Sequence, residues 1–439
     1  MLSGDVSAER LNQLPGVRSA VPAYPIHAAQ TPNDPELDQV RWASWDDTFG
    51  LSAAWNVSNG DGAVVAVIDT GVDFSHPDLT QAAWTNPDEI AGNGRDDDGN
   101  GYVDDVHGVS VIGGGSVADV QGHGTHVAGL IAARTNDGVG VAGSAPGARI
   151  MALRVLDASG NGDTDGLSSA IRYAVREGAH VINMSLNGNG STPQLEAAVT
   201  EAERAGVLLV TAAGNNSRDI DAAPSYPACF ANSNILAVAS VSDRGSISPF
   251  SNYGRKNVDV GSPGEAIISD RRGGGYEYRS GTSMATPLVS GIAAVLAASF
   301  PKAKAAGWRD ALTHTATPKP GLAGRVATGG IPDAEAALKW LASRPQATVS
   351  FGHAKLNRVR TRRGWQLSAS WKLSGAGATE IRKVRVMLSG KRKLTRTVAG
   401  RSAVLARTLS PGSYQVKLEA VDATGQVRTT KTMKTSLRR

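Results

Sequence analysis

A single cysteine, Cys229, stands among the 439 residues. One thiol excludes an internal disulfide framework and any zinc site built from cysteine ligands. Long hydrophobic runs are also missing. The longest, Val289 to Phe300, is about twelve residues and is interrupted by Ser290 and Gly291, whereas a membrane-spanning helix needs about 20 apolar residues. No segment is therefore expected to cross a bilayer. No positively charged, then apolar leader opens the sequence as given, so an exported precursor is expected to be longer. Repeats and low-complexity tracts are missing as well.

Hydrophobic residues make up 41% and charged residues 19%, the profile of a chain that buries a large core rather than staying disordered. At roughly 150 residues per domain, the length suggests about three domains. The formal charge of +5 conceals two different bodies. From Pro345 onward there are 21 Lys/Arg against 3 Asp/Glu, a balance of +18, which leaves −13 for everything before it.

Organisation follows from periodicity. Residues 1–30 have little apolar pattern and look like a remnant. From Ala63, short continuous apolar runs (Ala63 to Ile68, Ile150 to Val155, His180 to Met184, Val207 to Ala213, Ile235 to Val241) alternate with helical stretches such as Gly122 to Ala133, Gly166 to Glu177 and Pro193 to Ala205. Fully apolar strands separated by helices predict a doubly wound α/β body over 31–344, a parallel sheet with helices on both faces. Beyond Arg344 the period becomes two: Leu367, Ala369, Trp371 and Leu373 share a face, as do Tyr414, Val416, Leu418 and Ala420. Residues 345–439 are thus expected to form a basic, all-β, Ig-like sandwich.

Four segments fall where an open α/β sheet places its site, at strand ends and helix starts. The first strand runs into Asp69. Gly122-His123-Gly124 opens a helix, Val207 to Ala213 ends in Gly214-Asn215, and Ser280 to Pro287 opens the last long helix, Pro287 being read as part of its first turn. Each residue alone reads as a cap or turn former. Together they supply a carboxylate, an imidazole and a hydroxyl, the groups acyl transfer needs. Rival chemistries fit less well. An aspartic protease needs a second Asp-Thr/Ser-Gly, and none exists. His123 and His126 are spaced i, i+3 without the intervening Glu of a zincin, and Ser283 lacks the Gly-x-Ser-x-Gly of an esterase elbow.

The segments Ala66-Val67-Ile68-Asp69-Thr70-Gly71-Val72, His123-Gly124-Thr125-His126-Val127-Ala128-Gly129 and Gly281-Thr282-Ser283-Met284-Ala285-Thr286-Pro287 closely resemble the three signatures of the subtilisin-like serine proteases, over about Thr31 to Leu341. The resemblance implies a serine endopeptidase of broad specificity acting on polypeptides, with Ser283 as nucleophile, His123 as general base, Asp69 as its orienting carboxylate, and Asn215 with the Ser283 N–H as oxyanion hole. It further implies that substrate adds as a strand between Ser185-Leu186-Asn187 and Gly160-Asn161-Gly162, and that Ala212, Ala213 and Gly214 line the pocket for the residue before the scissile bond. Asn187 stands where the family usually has glycine. The alternative is a catalytically silent relative that only binds a surface.

Calcium is the expected cofactor, with a solvated acidic turn as the alternative reading of the segment that follows. Asp96, Asp98 and Asn100 alternate before Gly101, with Asp104 and Asp105 following, like the first half of a calcium loop. The glutamate expected at position twelve is replaced by His107. The resemblance adds a second site at Asp78, with Asn136 and nearby carbonyls. Leu11 to Val17 resembles the end of the family's inhibitory propeptide, with processing expected near Ala28 to Thr31, which implies a zymogen and a secreted or cell-surface enzyme. The +18 domain is expected to anchor on an anionic cell-surface polymer or to act as a simple spacer, rather than to bind a specific nucleic acid, because it lacks interleaved aromatics. Cys229 reads as a small buried hydrophobe.

Overall fold

The computed structural model describes residues 34–36 and 48–343, then 350–361, 364–374, 381–390, 393–398, 402–422 and 427–437. The expected propeptide remnant and its processing site lie outside the described residues. The chain divides into two compact units, Met1–Leu338 and Lys339–Arg439. The division falls inside the last helix of the first unit rather than after it.

In the first unit a short helix, α1 (Leu51–Trp55), precedes β1 (Val64–Asp69) and β2 (Gly108–Ser110). Then come α2 (His123–Ala132), β3 (Arg149–Arg154), α3 (Thr164–Arg176), β4 (Val181–Met184), α4 (Pro193–Ala205), β5 (Leu208–Ala212), β6 (Ile235–Val241) and β7 (Val260–Pro263). These strands form one seven-stranded sheet in the order β2-β3-β1-β4-β5-β6-β7, and every pairing is parallel. Both faces are covered, which is why the central strands are mostly apolar: β4, β5 and β6 are buried at every position, with Asn183, Thr211 and Ser240 as their polar members. β1 shares this burial from Val65 to Asp69.

The helices carry recognisable ends. Asp163 caps α3 by accepting from Asp165 N and Gly166 N. Thr192 caps α4, Pro193 occupies its first turn, and Gly206 closes it in the left-handed region at φ 80°. A hairpin, β8 (Ile267–Asp270) with β9 (Tyr276–Arg279), leads into α5 (Thr282–Ser299). α6 (Lys304–His314), the paired two-residue strands β10 (Thr317–Pro318) and β11 (Gly330–Ile331), and α7 (Ala334–Ser343) complete the unit.

Helix α5 is long and apolar enough to span a bilayer by length and composition, contrary to the sequence expectation, but 83% of it is buried within the protein. It is the central core helix. Its fit is close: a Cβ on Gly291 would stand 1.9 Å from Ser144 Oγ and 3.1 Å from the Ala145 nitrogen.

The second unit is antiparallel: β12 (Ser350–Thr361), β13 (Gly364–Ser374), β14 (Ile381–Gly390), β15 (Leu394–Val398), β16 (Ser402–Leu409), β17 (Gly412–Asp422) and β18 (Val427–Leu437). They form sheets ordered β12-β13-β16 and β15-β14-β17-β18. Leu367, Ala369 and Trp371 from one sheet and Tyr414, Val416, Leu418 and Ala420 from the other make one core, with Leu373 packed at its margin. The Tyr414 hydroxyl donates to Ser410 O at 3.0 Å, a bond back to upstream backbone of the kind found in Ig-like domains.

Gly291→Ala tests the packing of α5. In an open helix the exchange stabilises by about 1 kcal/mol. Here it should reverse sign and cost about 1–3 kcal/mol, the usual range for overpacking, measured by urea unfolding in a Ser283→Ala background. A gain in stability would contradict the close approach.

Candidate active site

Strand β1 delivers Asp69 to the carboxyl edge of the sheet with no exposure. Its Oδ1 accepts the Thr70 N–H at 2.8 Å. The start of α2 closes onto this strand end because residue 124 is glycine: a Cβ there would stand 2.0 Å from Gly71 O. His123, the first residue of α2, then places Nδ1 at 2.8 Å from Asp69 Oδ1 and 2.9 Å from Oδ2. With Nδ1 facing two carboxylate oxygens, the ring proton belongs there, and Nε2 is left as the acceptor.

The His123 pKa is set by opposing effects. Burial lowers it, the Asp69 charge and hydrogen bond raise it, and the Arg279 charge lowers it again. The net result lies above the ordinary 6.5. Arg279 is itself tied to Glu277 at 2.7 Å.

A residue the sequence reading passed over holds this helix start in place. Asp119 is buried, and its Oδ1 accepts from Thr70 Oγ1 (2.8 Å), Gln121 N (2.8 Å) and Gly122 N (2.7 Å). Its Oδ2 accepts from Thr125 N (2.9 Å) and Thr125 Oγ1 (2.6 Å). Burial opposes its charge, but these bonds outweigh it and hold the carboxyl below its ordinary range. The available signal was an Asp four residues before the helix-opening His, in a position to bond the unpaired N–H groups of the first turn.

Ser283 is the second residue of α5. Its hydroxyl donates to Ser185 O at 3.0 Å rather than to the imidazole. Pro287 lies one turn deeper in α5 than expected from the sequence. It therefore removes the N–H that would bond Ser283 O. Ser185 Oγ donates to that carbonyl instead, at 2.9 Å.

Asn215 follows β5 in an exposed turn. Its Oδ1 accepts from Thr282 N (2.9 Å) and Thr282 Oγ1 (3.0 Å), which turns the amide nitrogen outward. A Cβ on Gly281 would stand 3.4 Å from Asn215 Nδ2 and 3.6 Å from Ser283 N, so both donors border one small space that glycine leaves open. A carboxylate-oriented imidazole, a hydroxyl and two converging N–H donors are the groups required for nucleophilic acyl transfer.

Ser185, Leu186 and Asn187 continue directly from β4, beside Ala212, Ala213 and Gly214 at the end of β5. Asn187 Nδ2 donates to Ser225 Oγ at 3.3 Å and stands 3.0 Å from where Gly214 would carry a Cβ. Gly160, Asn161 and Gly162 lie in an exposed turn held by Asp157, whose Oδ1 accepts Asn161 N at 2.9 Å. His126 is not a partner for His123. It is buried, its Nε2 bonds Glu277 O at 3.1 Å, and burial together with Arg279 pushes its pKa down to about 3. Cys229 is half-buried, and burial pushes its thiol up, as befits a packing residue.

The acidic loop gathers differently from the sequence expectation. Asp96 and Asp98 each offer an oxygen within 4.8 Å of Glu89, and Glu89 Oε2 is buried without a hydrogen-bond partner. Glu89 lies upstream of the loop, so the absent twelfth-position glutamate concealed it. Asp104 turns away to accept from Asn93 N (3.1 Å) and Gly94 N (3.0 Å). Asp105 lies behind the cluster and accepts from Tyr173 (2.5 Å) and Asn100 Nδ2 (2.8 Å). Asp78 bonds Val141 N at 3.2 Å, and Asn136 bonds the buried Asp34 through its N–H at 3.0 Å, so both border the 134–141 loop.

The profile of the subtilase family matches residues 60–339. A thermophilic serine proteinase of Bacillus sp. (strain AK1) is 40% identical over 298 residues, covering 67% of this chain and 67% of that protein. Thermitase of Thermoactinomyces vulgaris is 38% identical over 267 residues, covering 61% of this chain and 85% of that protein. Among solved structures, a protease from Pseudoalteromonas arctica PAMC 21717 is similar at a TM-score of 0.59 and 31% identity, covering 72% of this chain and 100% of that one. Relatives include proteases named as extracellular and as intracellular. With the fold, the strand-end Asp, the helix-opening His and the helix-opening Ser all in place, the chain belongs to the subtilase family and is a serine endopeptidase.

Proposed function

We propose that the enzyme cleaves peptide bonds through an acyl-enzyme on Ser283, and that the observation carrying this assignment is the Asp69–His123 contact at 2.8 Å. The Ser283 hydroxyl leaves Ser185 O, gives its proton to His123 Nε2 and attacks the scissile carbonyl. The oxyanion is held by Asn215 Nδ2 and Ser283 N. His123 then returns the proton to the leaving amine, and water repeats the sequence to release the acid. The silent, surface-binding alternative is not favoured, since Asp69, His123, Asn215 and Ser283 are all present.

Substrate adds as an extended strand between 185–187 and 160–162. Ala212, Ala213 and Gly214 line the first pocket, and specificity is broad because these segments carry no charge. Asn187, tied to Ser225, narrows that pocket. Calcium fits the acidic loop, where Glu89, Asp96 and Asp98 converge and Glu89 Oε2 lacks a partner; it would neutralise these oxygens and brace the loop. Asp78 and the 134–141 loop with Asn136 form the second calcium wall. The enzyme acts outside the cell after release of an inhibitory propeptide, and its basic terminal unit docks on an anionic surface polymer.

Loss of one oxyanion donor in subtilisin, from which the magnitude comes, costs roughly 10²- to 10³-fold in kcat. Asn215→Leu should show a loss of this size with KM nearly unchanged, against a Ser283→Ala protein that leaves casein intact; casein digestion by Ser283→Ala equal to the parent overturns the proposal. Because His123 must be neutral to accept a proton and its pKa is raised, the acid limb of kcat/KM should have its midpoint above about 6.5. Arg279→Gln, which removes a lowering charge, should move the limb further up, and a downward movement contradicts the assignment. Asn187→Gly should raise kcat/KM for an aromatic over an alanine residue before the scissile bond by about 10-fold or more, the scale of a few methylene groups in a pocket. An unchanged ratio on matched peptide substrates removes Asn187 from the pocket.

A further inference from the structure

Beneath the β8–β9 hairpin lie three side chains that peptide cleavage does not use. His76 is 1% exposed, Asp78 1% and Asp270 0%. His76 precedes the short helical turn Pro77–Leu79, and Asp270 ends β8. The His76 Nδ1 and one oxygen from each carboxylate lie within 4.8 Å of one another, with Nδ1 at 3.6 Å from Asp270 Oδ2. His76 Nε2–H donates to Gly275 O at 3.0 Å, which leaves Nδ1 as the acceptor that takes the Asp78 N–H at 3.3 Å. Asp78 Oδ2 accepts Val141 N–H at 3.2 Å, whereas Asp78 Oδ1 and both Asp270 oxygens are buried without a hydrogen-bond partner.

Buried, unpaired carboxylates are costly. Two of them side by side carry a charge of −2 that either protons or one divalent cation can cancel.

We propose that His76 Nδ1, Asp78 Oδ1 and Asp270 form a binding site for a divalent first-row metal ion of the zinc type. An imidazole nitrogen with two carboxylates suits such an ion; calcium takes six to eight oxygens. A backbone carbonyl on the far ring nitrogen is the usual support for a metal-bound histidine, fixing its tautomer and orientation. The site differs from the calcium wall proposed above, which uses the opposite side of Asp78, toward Val141 and the 134–141 loop. Once bound, the ion ties the turn at 76–78 to the hairpin that runs directly into Ser280 and Ser283, and so braces the strand feeding the nucleophile.

The test uses the full chain carrying Ser283→Ala to stop autolysis, with calcium in excess, and zinc alone as the probe. Calorimetry should find one tight zinc equivalent that raises the unfolding temperature, and anomalous scattering should place the ion on His76 Nδ1. Asp270→Asn and His76→Gln should each weaken binding by more than about 100-fold, the upper range for loss of a mere supporting hydrogen bond, whereas Asp96→Asn in the acidic loop should leave it unchanged. The two variants guard against either one failing to fold. Zinc affinity unchanged in both variants overturns the proposal, as does calcium at this position or no zinc uptake by the parent, the last meaning that Asp78 and Asp270 simply share a proton. Because the readout is metal rather than cleavage, failure here leaves the peptidase assignment untouched.

Discussion

The carboxylate of Asp69 is fully buried at the end of a parallel strand, and the groups that reach it are the Thr70 N–H and the His123 ring. A buried charge needs partners that hold their positions, so the imidazole is fixed with its proton on Nδ1. Every later requirement depends on that choice. With Nδ1 occupied, Nε2 faces the cleft as an acceptor, and only an acceptor can draw the proton from a serine hydroxyl. The parallel sheet supplies the precondition: strand ends and helix starts meet along one edge, so residues distant in sequence converge without any long loop.

The surrounding bonds turn this contact into a placed one. Asp119 fastens the first turn of α2 with five hydrogen bonds from Thr70, Gln121, Gly122 and Thr125, and so sets the angle at which His123 leaves the helix. At the other side of the cleft, Pro287 frees the Ser283 carbonyl, Ser185 Oγ takes it, and Ser185 O receives the Ser283 hydroxyl. The nucleophile is thus held in a resting position by the same segment proposed to bind substrate. Thr282 orients Asn215 by occupying its amide oxygen, which leaves the nitrogen free for a developing oxyanion.

Much of this was legible in the chain. Strands buried on both faces are largely apolar, so β1, β3, β4, β5 and β6 could be read directly. The edge strands β2 and β7 could not, because Gly108-Val109-Ser110 and Val260-Gly261-Ser262-Pro263 are short and mixed. Asp69, His123, Asn215 and Ser283 were visible because each sits where a periodic element starts or stops. Asp119 and Glu89 were not, since their work is done through backbone N–H groups and neighbours brought near only by folding. Pro287 was placed a turn too early, because the start of a helix is blurred in sequence while its proline is not. Asp270 carried no local signal at all: it looks like an ordinary strand-end residue until β8 brings it against His76 and Asp78.

The structure of the protein after reaction with a serine-directed phosphonate decides whether Ser283 is the nucleophile. Phosphorus should be bonded to Ser283 Oγ, the hydroxyl having left Ser185 O, with the phosphoryl oxygen within hydrogen-bond distance of both Asn215 Nδ2 and Ser283 N and with His123 Nδ1 still on Asp69. A label on any other residue, or a phosphoryl oxygen turned away from both donors, would contradict it.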